Sequence, residues 1–73
     1  MAVSEFCKTI AMALKDLRIK NNLSVEKLAE KSGISVYKIR SIENFEHDIR
    51  FMTVYKLCQI YKIKMRDFME MVE

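Results

Sequence analysis

The sequence predicts an all-α fold, a compact domain of five helices that takes in all 73 residues. Two observations carry this prediction. The chain has no proline and a single glycine, Gly33, which argues against a turn-rich β fold. Apolar residues make up 51% of the chain, enough for one small core, and they recur every three or four residues as in amphipathic helices.

The first helix is expected from about Ser4 to Lys20, with Ser4 as its N-cap. Apolar residues spaced four, four and three apart give it one inward stripe: Phe6, Ile10, Leu14 and Leu17. Asn21 and Asn22 are expected to end the helix, because asparagine tolerates the left-handed conformation found after helix C-termini.

Two short helices meet at Gly33 in the middle of the chain. The spacing predicts one from Val25 to Lys31, capped by Ser24, and one from Val36 to Asn44, capped by Ser35. Gly33 supplies the positive φ of the tight turn between them. Residues 24–44 are therefore expected to form a helix-turn-helix at the centre of the five-helix domain.

Two further helices follow a loop at residues 45–48. The fourth is expected from Ile49 or Arg50 to Tyr61, with these residues facing inward: Phe51, Val54, Leu57 and Cys58. The fifth is expected from Met65 to Val72, with one apolar face: Met65, Phe68, Met69 and Val72.

Composition argues against several classes of protein. No apolar run approaches the roughly 20 residues that span a membrane, and no signal peptide is visible, so we expect a cytoplasmic protein. His47 is the only histidine, and Cys7 and Cys58 lack metal-ligand spacing, so we expect reduced thiols and no metal site. With no glycine-rich phosphate loop or paired carboxylates, we expect neither a cofactor nor an enzyme.

Several short motifs resemble the lambda-repressor-like, or Cro-type (XRE), helix-turn-helix family. They are Leu17-Arg18, Leu23-Ser24, Leu28-Ala29, Gly33-Ile34-Ser35, Ile39 and Ile42-Glu43, and the similarity extends over residues 12–69. The resemblance implies a transcriptional regulator that binds a specific double-stranded DNA sequence. A repressor of phage, mobile-element or bacterial type, binding a near-palindromic operator as a homodimer, is the form that it favours.

The resemblance also assigns residues to roles. The start of the second helix of the motif reads bases in such proteins, and the matching positions are Val36, Tyr37, Arg40 and Ser41. Phosphate contacts are expected from Ser24, Val25, Ser35, Lys38 and Asn44. In the family an arginine matching Arg18 forms a buried salt bridge with a glutamate matching Glu43, a structural role. The fifth helix is expected to supply a dimer seam from Phe68, Met69 and Val72, although core packing is the alternative for these side chains.

The motif departs from the family in ways that bear on DNA binding. Val25 stands where the family usually has a phosphate-clamping glutamine. Residues 45–48, Phe-Glu-His-Asp, place an aromatic ring and two carboxylates where glycine and basic residues are usual. Residues 21–50 carry five basic and five acidic groups, so the motif is neutral. These departures favour an alternative hypothesis, a protein-interaction module on the same fold, such as an antitoxin, an antirepressor or another phage-encoded inhibitor.

Overall fold

The computed structural model describes residues 5–46 and 49–72 and contains five α-helices. They are α1 (Glu5–Lys20), α2 (Val25–Ser32), α3 (Val36–Glu43), α4 (Phe51–Ile60) and α5 (Met65–Val72). Each expected helix is present, with its ends within two residues of the expected ones, so the predicted all-α class is confirmed. None of the helices in the described part of the chain is long and apolar enough to cross a membrane.

The central caps form as expected. Ser24 accepts a hydrogen bond from the Lys27 backbone N–H at 3.0 Å, and Ser35 accepts one from Lys38 N–H at 3.1 Å. Gly33 is left-handed, with φ 74°, and its N–H donates to the Ala29 carbonyl. The N-cap expected at Ser4 falls outside the described residues, and the N-cap of α4 is Arg50, whose side chain makes no capping hydrogen bond.

Three helices end in the same way, with a non-glycine residue in the left-handed conformation. These residues are Asn22 after α1, Phe45 after α3 and Lys62 after α4, with φ of 56°, 61° and 58°. After each of them, the next backbone N–H donates back across the last turn, as in a Schellman motif. Asn22 was expected to do this, but an aromatic ring at Phe45 is costly because its Cβ crowds the backbone.

The core lies where the five helices converge. α1 packs on α3 and α5, α2 on α3 and α4, and α4 on α5. The least exposed side chains are Phe68, Leu28 and Cys58, from three different helices. Burial raises the pKa of the Cys58 thiol, so Cys58 is an inert apolar core residue.

Two aromatic residues expected to face inward are instead exposed. Phe6 is 53% exposed and Phe51 is 68% exposed, so the prediction was wrong for both. Each lies in the first turn of its helix, and more than half of its surface is exposed. Together they border an apolar groove of about 320 Å³ between α1, α4 and α5, which Ile49, Met65 and Met69 also line. Helical periodicity predicts the face on which these side chains lie, but not how far neighbouring helices bury them.

Candidate nucleic-acid interface

The turn between α2 and α3 is fixed by local hydrogen bonds and by the core beneath it. Ser32 is buried, and its hydroxyl oxygen accepts a hydrogen bond from Ile34 N–H at 3.1 Å across the turn. Leu28 of α2 and Ile39 of α3 are both buried below. The angle between the two helices is therefore set before any ligand binds.

Arg18 and Glu43 form a partly buried, bidentate ion pair. Arg18 Nε and Nη2 donate to the two Glu43 carboxylate oxygens at 2.8 and 3.0 Å, and Nη1 donates to the Leu23 carbonyl at 2.8 Å. Each side chain is only 12% exposed. The hydrogen bonds to Glu43 raise the pKa of Arg18 above its ordinary value. The expected salt bridge is thus present, and it joins α1 to the end of α3.

One face of α3 is exposed to solvent. Tyr37 is 75% exposed, the highest value among the large apolar and aromatic side chains that are exposed, and Lys38 and Arg40 are also exposed. Val36 is half-buried at the edge of this surface. Three of the four expected base-reading residues therefore reach the surface of α3, Val36 and Tyr37 in its first turn and Arg40 in its last turn.

Ser41, the fourth expected base-reading residue, is only 3% exposed, so the structure contradicts a direct contact between its side chain and a base. Its position belongs to the C-terminal half of α3, the half that Glu43 ties to Arg18 of α1. Tyr37 lies one helical turn earlier and escapes this cover. Sequence position placed the two residues on one face, and tertiary packing leaves only Tyr37 exposed.

Arg40 is engaged by a residue to which the sequence analysis gave no role. Its Nη2 donates to Glu26 Oε2 at 2.7 Å, and the two side chains are 57% and 64% exposed. Glu26 lies in the first turn of α2. A hydrogen bond with its own backbone N–H, and then the one from Arg40, lower the pKa of Glu26. No sequence pattern marks this pair, because the partners are 14 residues apart and meet only where the two helices cross.

The expected phosphate-contacting residues lie around the starts of α2 and α3. Ser24 and Ser35 are exposed N-caps, and Val25 is half-buried in the first turn of α2. Lys38 borders a shallow cleft of about 510 Å³ together with Lys56 of α4, a basic residue that the sequence analysis did not single out. Asn44 is exposed but lies at the opposite end of α3, as its C-cap.

The described part of the acidic segment also lies at that opposite end. Glu46 N–H donates to the Ser41 carbonyl at 2.9 Å, which holds Glu46 beyond the last turn of α3. The helix between this turn and the start of α3 is about 12 Å long, comparable to the screening length in physiological salt. His47 and Asp48 are outside the described residues.

The expected dimer-seam residues differ in exposure. Phe68 is 0% exposed, so the structure contradicts a place for it in a seam, and core packing accounts for it. Met69 and Val72 are half-buried, and Met69 lines the apolar groove beside Phe6 and Phe51. Phe68 lies on the side of α5 that faces α1 and α4, where the core closes over it.

No group of three or more histidine, cysteine, aspartate and glutamate side chains within residues 5–46 and 49–72 could hold a metal ion. The surface formed by α2 and α3 combines the exposed face of α3, two N-capped helix starts and exposed basic groups. Such a surface can bind an extended anion through backbone amides and lysines while arginine and tyrosine side chains reach into a groove.

Comparison with known proteins agrees with this geometry. No curated protein sequence matches the chain. The restriction-modification controller protein C.Esp1396I, as a tetramer on its natural 35-base-pair operator, superposes with a TM-score of 0.86 at 20% identity, covering 94% of this chain and 91% of that one. The wild-type controller protein gives a TM-score of 0.87 at 20% identity, with the same coverage.

These superpositions establish a shared fold. The family model described as "Helix-turn-helix domain" matches residues 12–71, which span α2, α3, α4 and most of α1 and α5. The chain therefore belongs to the helix-turn-helix domain family, in its lambda-repressor-like, Cro-type (XRE) form.

Proposed function

We propose that this protein is a transcriptional regulator that binds a specific double-stranded DNA sequence, a near-palindromic operator, as a homodimer. The observation that carries the proposal is the exposed face of α3, which presents Tyr37 and Lys38 from its first turn and Arg40 from its last turn. A controller protein of the same fold has been seen bound to its operator, and this supports the same use of the fold here. The proposed role is not enzymatic.

The proposed reading of DNA follows from the exposed groups. Arg40 is suited to donate two hydrogen bonds to the O6 and N7 of a guanine in the major groove. Tyr37 is placed to reach a base edge or a phosphate, and the half-buried Val36 to contact a thymine methyl group. Ser41 has no direct part in this scheme, because it is buried.

Phosphate contacts would flank these base contacts. The first backbone amides of α2, at Ser24 and Val25, lack partners within their helix and are suited to a phosphate oxygen. Ser35 and Lys38 would contact phosphate at the start of α3. Lys56 would add a second cation on the other side of the cleft that it lines with Lys38. Asn44 keeps a place in the scheme only as a more distant contact, since it lies at the other end of α3.

The neutral charge of the helix-turn-helix does not oppose the proposal once position is considered. Glu46 lies past the far end of α3, and Glu43 is neutralised by Arg18. Lys38 lies in the first turn of α3, and Arg40 lies on its exposed face. Charges act on DNA by position as well as by sum, because salt screens the distant ones.

The homodimer is proposed to form along the apolar groove between α1, α4 and α5. The groove is lined almost wholly by apolar side chains, and Phe6 and Phe51 stand exposed at its borders. Met69 and Val72 of the expected seam lie on this side or beside it, whereas Phe68 belongs to the core. A twofold dimer would present two α3 helices about 34 Å apart, one turn of DNA. An operator that overlaps a promoter would make the protein a repressor by occupancy.

Binding is tested by fluorescence anisotropy on duplexes from the region upstream of the gene, at several salt concentrations. We expect specific binding whose logarithm falls steeply and linearly with the logarithm of salt concentration, because each phosphate contact releases counterions. Absence of binding at low salt, or a flat salt dependence, would contradict the proposed function.

Two matched variants test the division of labour along α3. Arg40→Ala should relax sequence preference at one base pair, whereas Lys38→Ala should weaken binding to all sequences alike and reduce the salt slope by about one. Both residues are exposed, so neither change should alter folding. Equal effects of the two variants on specific and non-specific duplexes would contradict the assignment of Arg40 to base reading.

The dimer is tested by sedimentation equilibrium of two variants at exposed apolar sites, Phe51 and Met12. Phe51→Asp places a charge at the border of the groove and should give a monomer, with weakened operator binding. Met12→Asp is the control, because Met12 is 57% exposed on a different face of α1. If Met12→Asp alone dissociates the dimer, the seam is on the wrong face.

One observation favours the alternative function, a protein-interaction module. Met12 and Ile19 of α1 are more than half exposed, and with Phe45 they line a second surface beside the end of α3. Exposed apolar side chains of this kind suit a protein partner. A protein that lacks DNA binding at low salt, but whose activity in cells is lost with Ile19→Asp, would favour this alternative over the regulator.

A further inference from the structure

The contact between Arg40 and Glu26 assigns a role to a residue outside the usual base-reading set. Arg40 Nη2 donates to Glu26 Oε2 at 2.7 Å, although both side chains are more than half exposed. A long arginine side chain at a surface ordinarily samples many rotamers, and ordering it costs free energy. Here a carboxylate from the neighbouring helix already restricts it.

Glu26 is itself restrained at the start of α2. Its carboxylate accepts a hydrogen bond from its own backbone N–H as well as from Arg40, and both interactions favour the ionised form. The first turn of α2 is rigid with respect to α3, because Gly33, Ser32 and the buried Leu28 fix the crossing of the helices. The backbone that carries Glu26 is thus fixed with respect to α3, and its carboxylate contacts the Arg40 guanidinium from there at 2.7 Å.

The contact leaves Arg40 able to read a base. A guanidinium has five N–H donors, and one Nη2–H is used by Glu26. The second Nη2–H and both Nη1–H groups remain for the two acceptors of a guanine. Glu26 therefore need not release Arg40 when DNA binds.

We propose that Glu26 is a positioning residue that determines specificity, holding Arg40 in the orientation that reads guanine. This inference rests on the proposed function. The Glu26 charge also lies beside the start of α2, where a phosphate would approach, so it weakens binding to any sequence. Both effects raise discrimination: Arg40 is ordered for the correct base, and non-specific affinity is reduced.

The opposite arrangement makes a different prediction. If Glu26 merely competes with DNA for Arg40, the contact must break on binding. Removing Glu26 would then strengthen binding to the guanine site more than to other sites, and discrimination would rise or stay unchanged.

The test uses the full chain and duplexes that differ at one base pair. Selection from random duplexes gives the preferred site of the wild-type protein, and comparison with Arg40→Ala identifies the guanine that Arg40 reads. Replacing that guanine should weaken wild-type binding by roughly 5- to 150-fold, the range for a bidentate arginine–guanine contact. The same duplex pair is then measured with three variants.

Glu26→Ala should bind non-specific DNA more tightly than wild type and discriminate less at that base pair, by up to roughly 30-fold, because a free arginine must be ordered on binding. Glu26→Gln should show the same gain in non-specific affinity but keep more discrimination, because its amide oxygen still accepts from Arg40. The control is Glu30→Ala. Glu30 is an exposed glutamate of α2 whose carboxylate pairs with Lys27 at 3.5 Å and not with Arg40. This variant should raise non-specific affinity slightly and leave discrimination unchanged.

Two outcomes would overturn the inference, and they are distinguishable. If wild type and Glu26→Ala discriminate equally, or Glu26→Ala discriminates better, Glu26 does not position Arg40 although the regulator function stands. If wild type binds no sequence preferentially, the proposed function fails and the inference fails with it. Unchanged unfolding midpoints of the Glu26 variants would exclude a folding defect, since the side chain is exposed.

Discussion

Two arginine–glutamate pairs of nearly equal length hold α3, and they differ in almost everything else. Arg18–Glu43 is 12% exposed on both sides and closes with two hydrogen bonds, and a third from Arg18 goes to the Leu23 carbonyl. Arg40–Glu26 is more than half exposed and has a single hydrogen bond. Arg40 and Glu43 both lie in the last turn of α3, so the pairs differ in environment: the first ties α3 to α1 and is shielded, and the second joins the exposed face of α3 to the first turn of α2.

The difference shows that the same two residue types can pair on one helix in a shielded and in an exposed environment, with different consequences for stability. Exposure to water determines how much each pair contributes to stability. A pair shielded from solvent must stay intact because an unpaired charge there is costly, whereas an exposed pair adds little to stability but still orders a side chain.

The largest effect is expected from breaking the covered pair. Glu43→Gln leaves Arg18 without its counter-charge and should lower the free energy of unfolding by about 3–5 kcal/mol. Thermal unfolding followed by circular dichroism measures this, with an expected fall in midpoint of roughly 12–40 °C for a domain of this size.

Such a loss approaches the whole stability of a small domain, so a second variant is needed. The double variant Arg18→Met/Glu43→Leu removes both charges and should be more stable than Glu43→Gln, because no unpaired charge remains buried. A Glu43→Gln midpoint equal to that of wild type would show that the two pairs do not differ as argued.

A second effect concerns Tyr61, whose pKa is influenced by the charges of the covered pair. Burial raises the pKa of Tyr61 from 10.0 to about 12, and its hydroxyl has no hydrogen-bond partner among the described residues. The folded state holds the proton more tightly than the unfolded state. Stability from this group is therefore present below pH 10 and should be lost, by about 3 kcal/mol, as pH rises from 10 to 12.

Tyr61→Phe isolates this group from other residues that titrate in the same range. The variant should lose less stability than wild type between pH 10 and 12 in denaturant titrations. At pH 7 it should be at least as stable as wild type, because an unpartnered buried hydroxyl is removed. A marked loss of stability at pH 7 would show that the hydroxyl has a partner.

A smaller effect on stability is expected at Phe45, just beyond the last turn of α3. Its φ of 61° is strained for an aromatic residue, so Phe45→Gly should raise the free energy of unfolding by about 1 kcal/mol after the entropic cost of glycine. Asn22→Gly is the matched control, since asparagine tolerates φ 56° and should gain less. Equal gains in denaturant titrations would remove strain as the explanation.

The smallest effect on stability is expected from breaking the exposed pair. Glu26→Gln should leave the unfolding midpoint within experimental error of wild type, because exposed ion pairs are hydrated and screened. Measurement at low and high salt should give the same result. A substantial loss of stability would show that this pair, like Arg18–Glu43, is structural.

The sequence by itself determined the class of fold and most of its details. Apolar spacing located five helices within two residues of their ends, and Ser24, Ser35 and Gly33 defined the helix-turn-helix, because caps and positive φ are local properties of the chain. The resemblance to a family supplied the long-range contact between Arg18 and Glu43. Local chemistry is readable in sequence because it depends on neighbours a few residues away.

Tertiary structure decided which candidate side chains are available. Ser41 and Phe68 fit the patterns for a base contact and a dimer seam, yet packing covers both. Phe6 and Phe51 fit the pattern for core residues, yet more than half of each residue is exposed. Glu26 meets Arg40 only because α2 crosses α3. Exposure and cross-helix contact depend on how whole elements pack, and a periodic pattern records only the direction in which each side chain leaves its own helix.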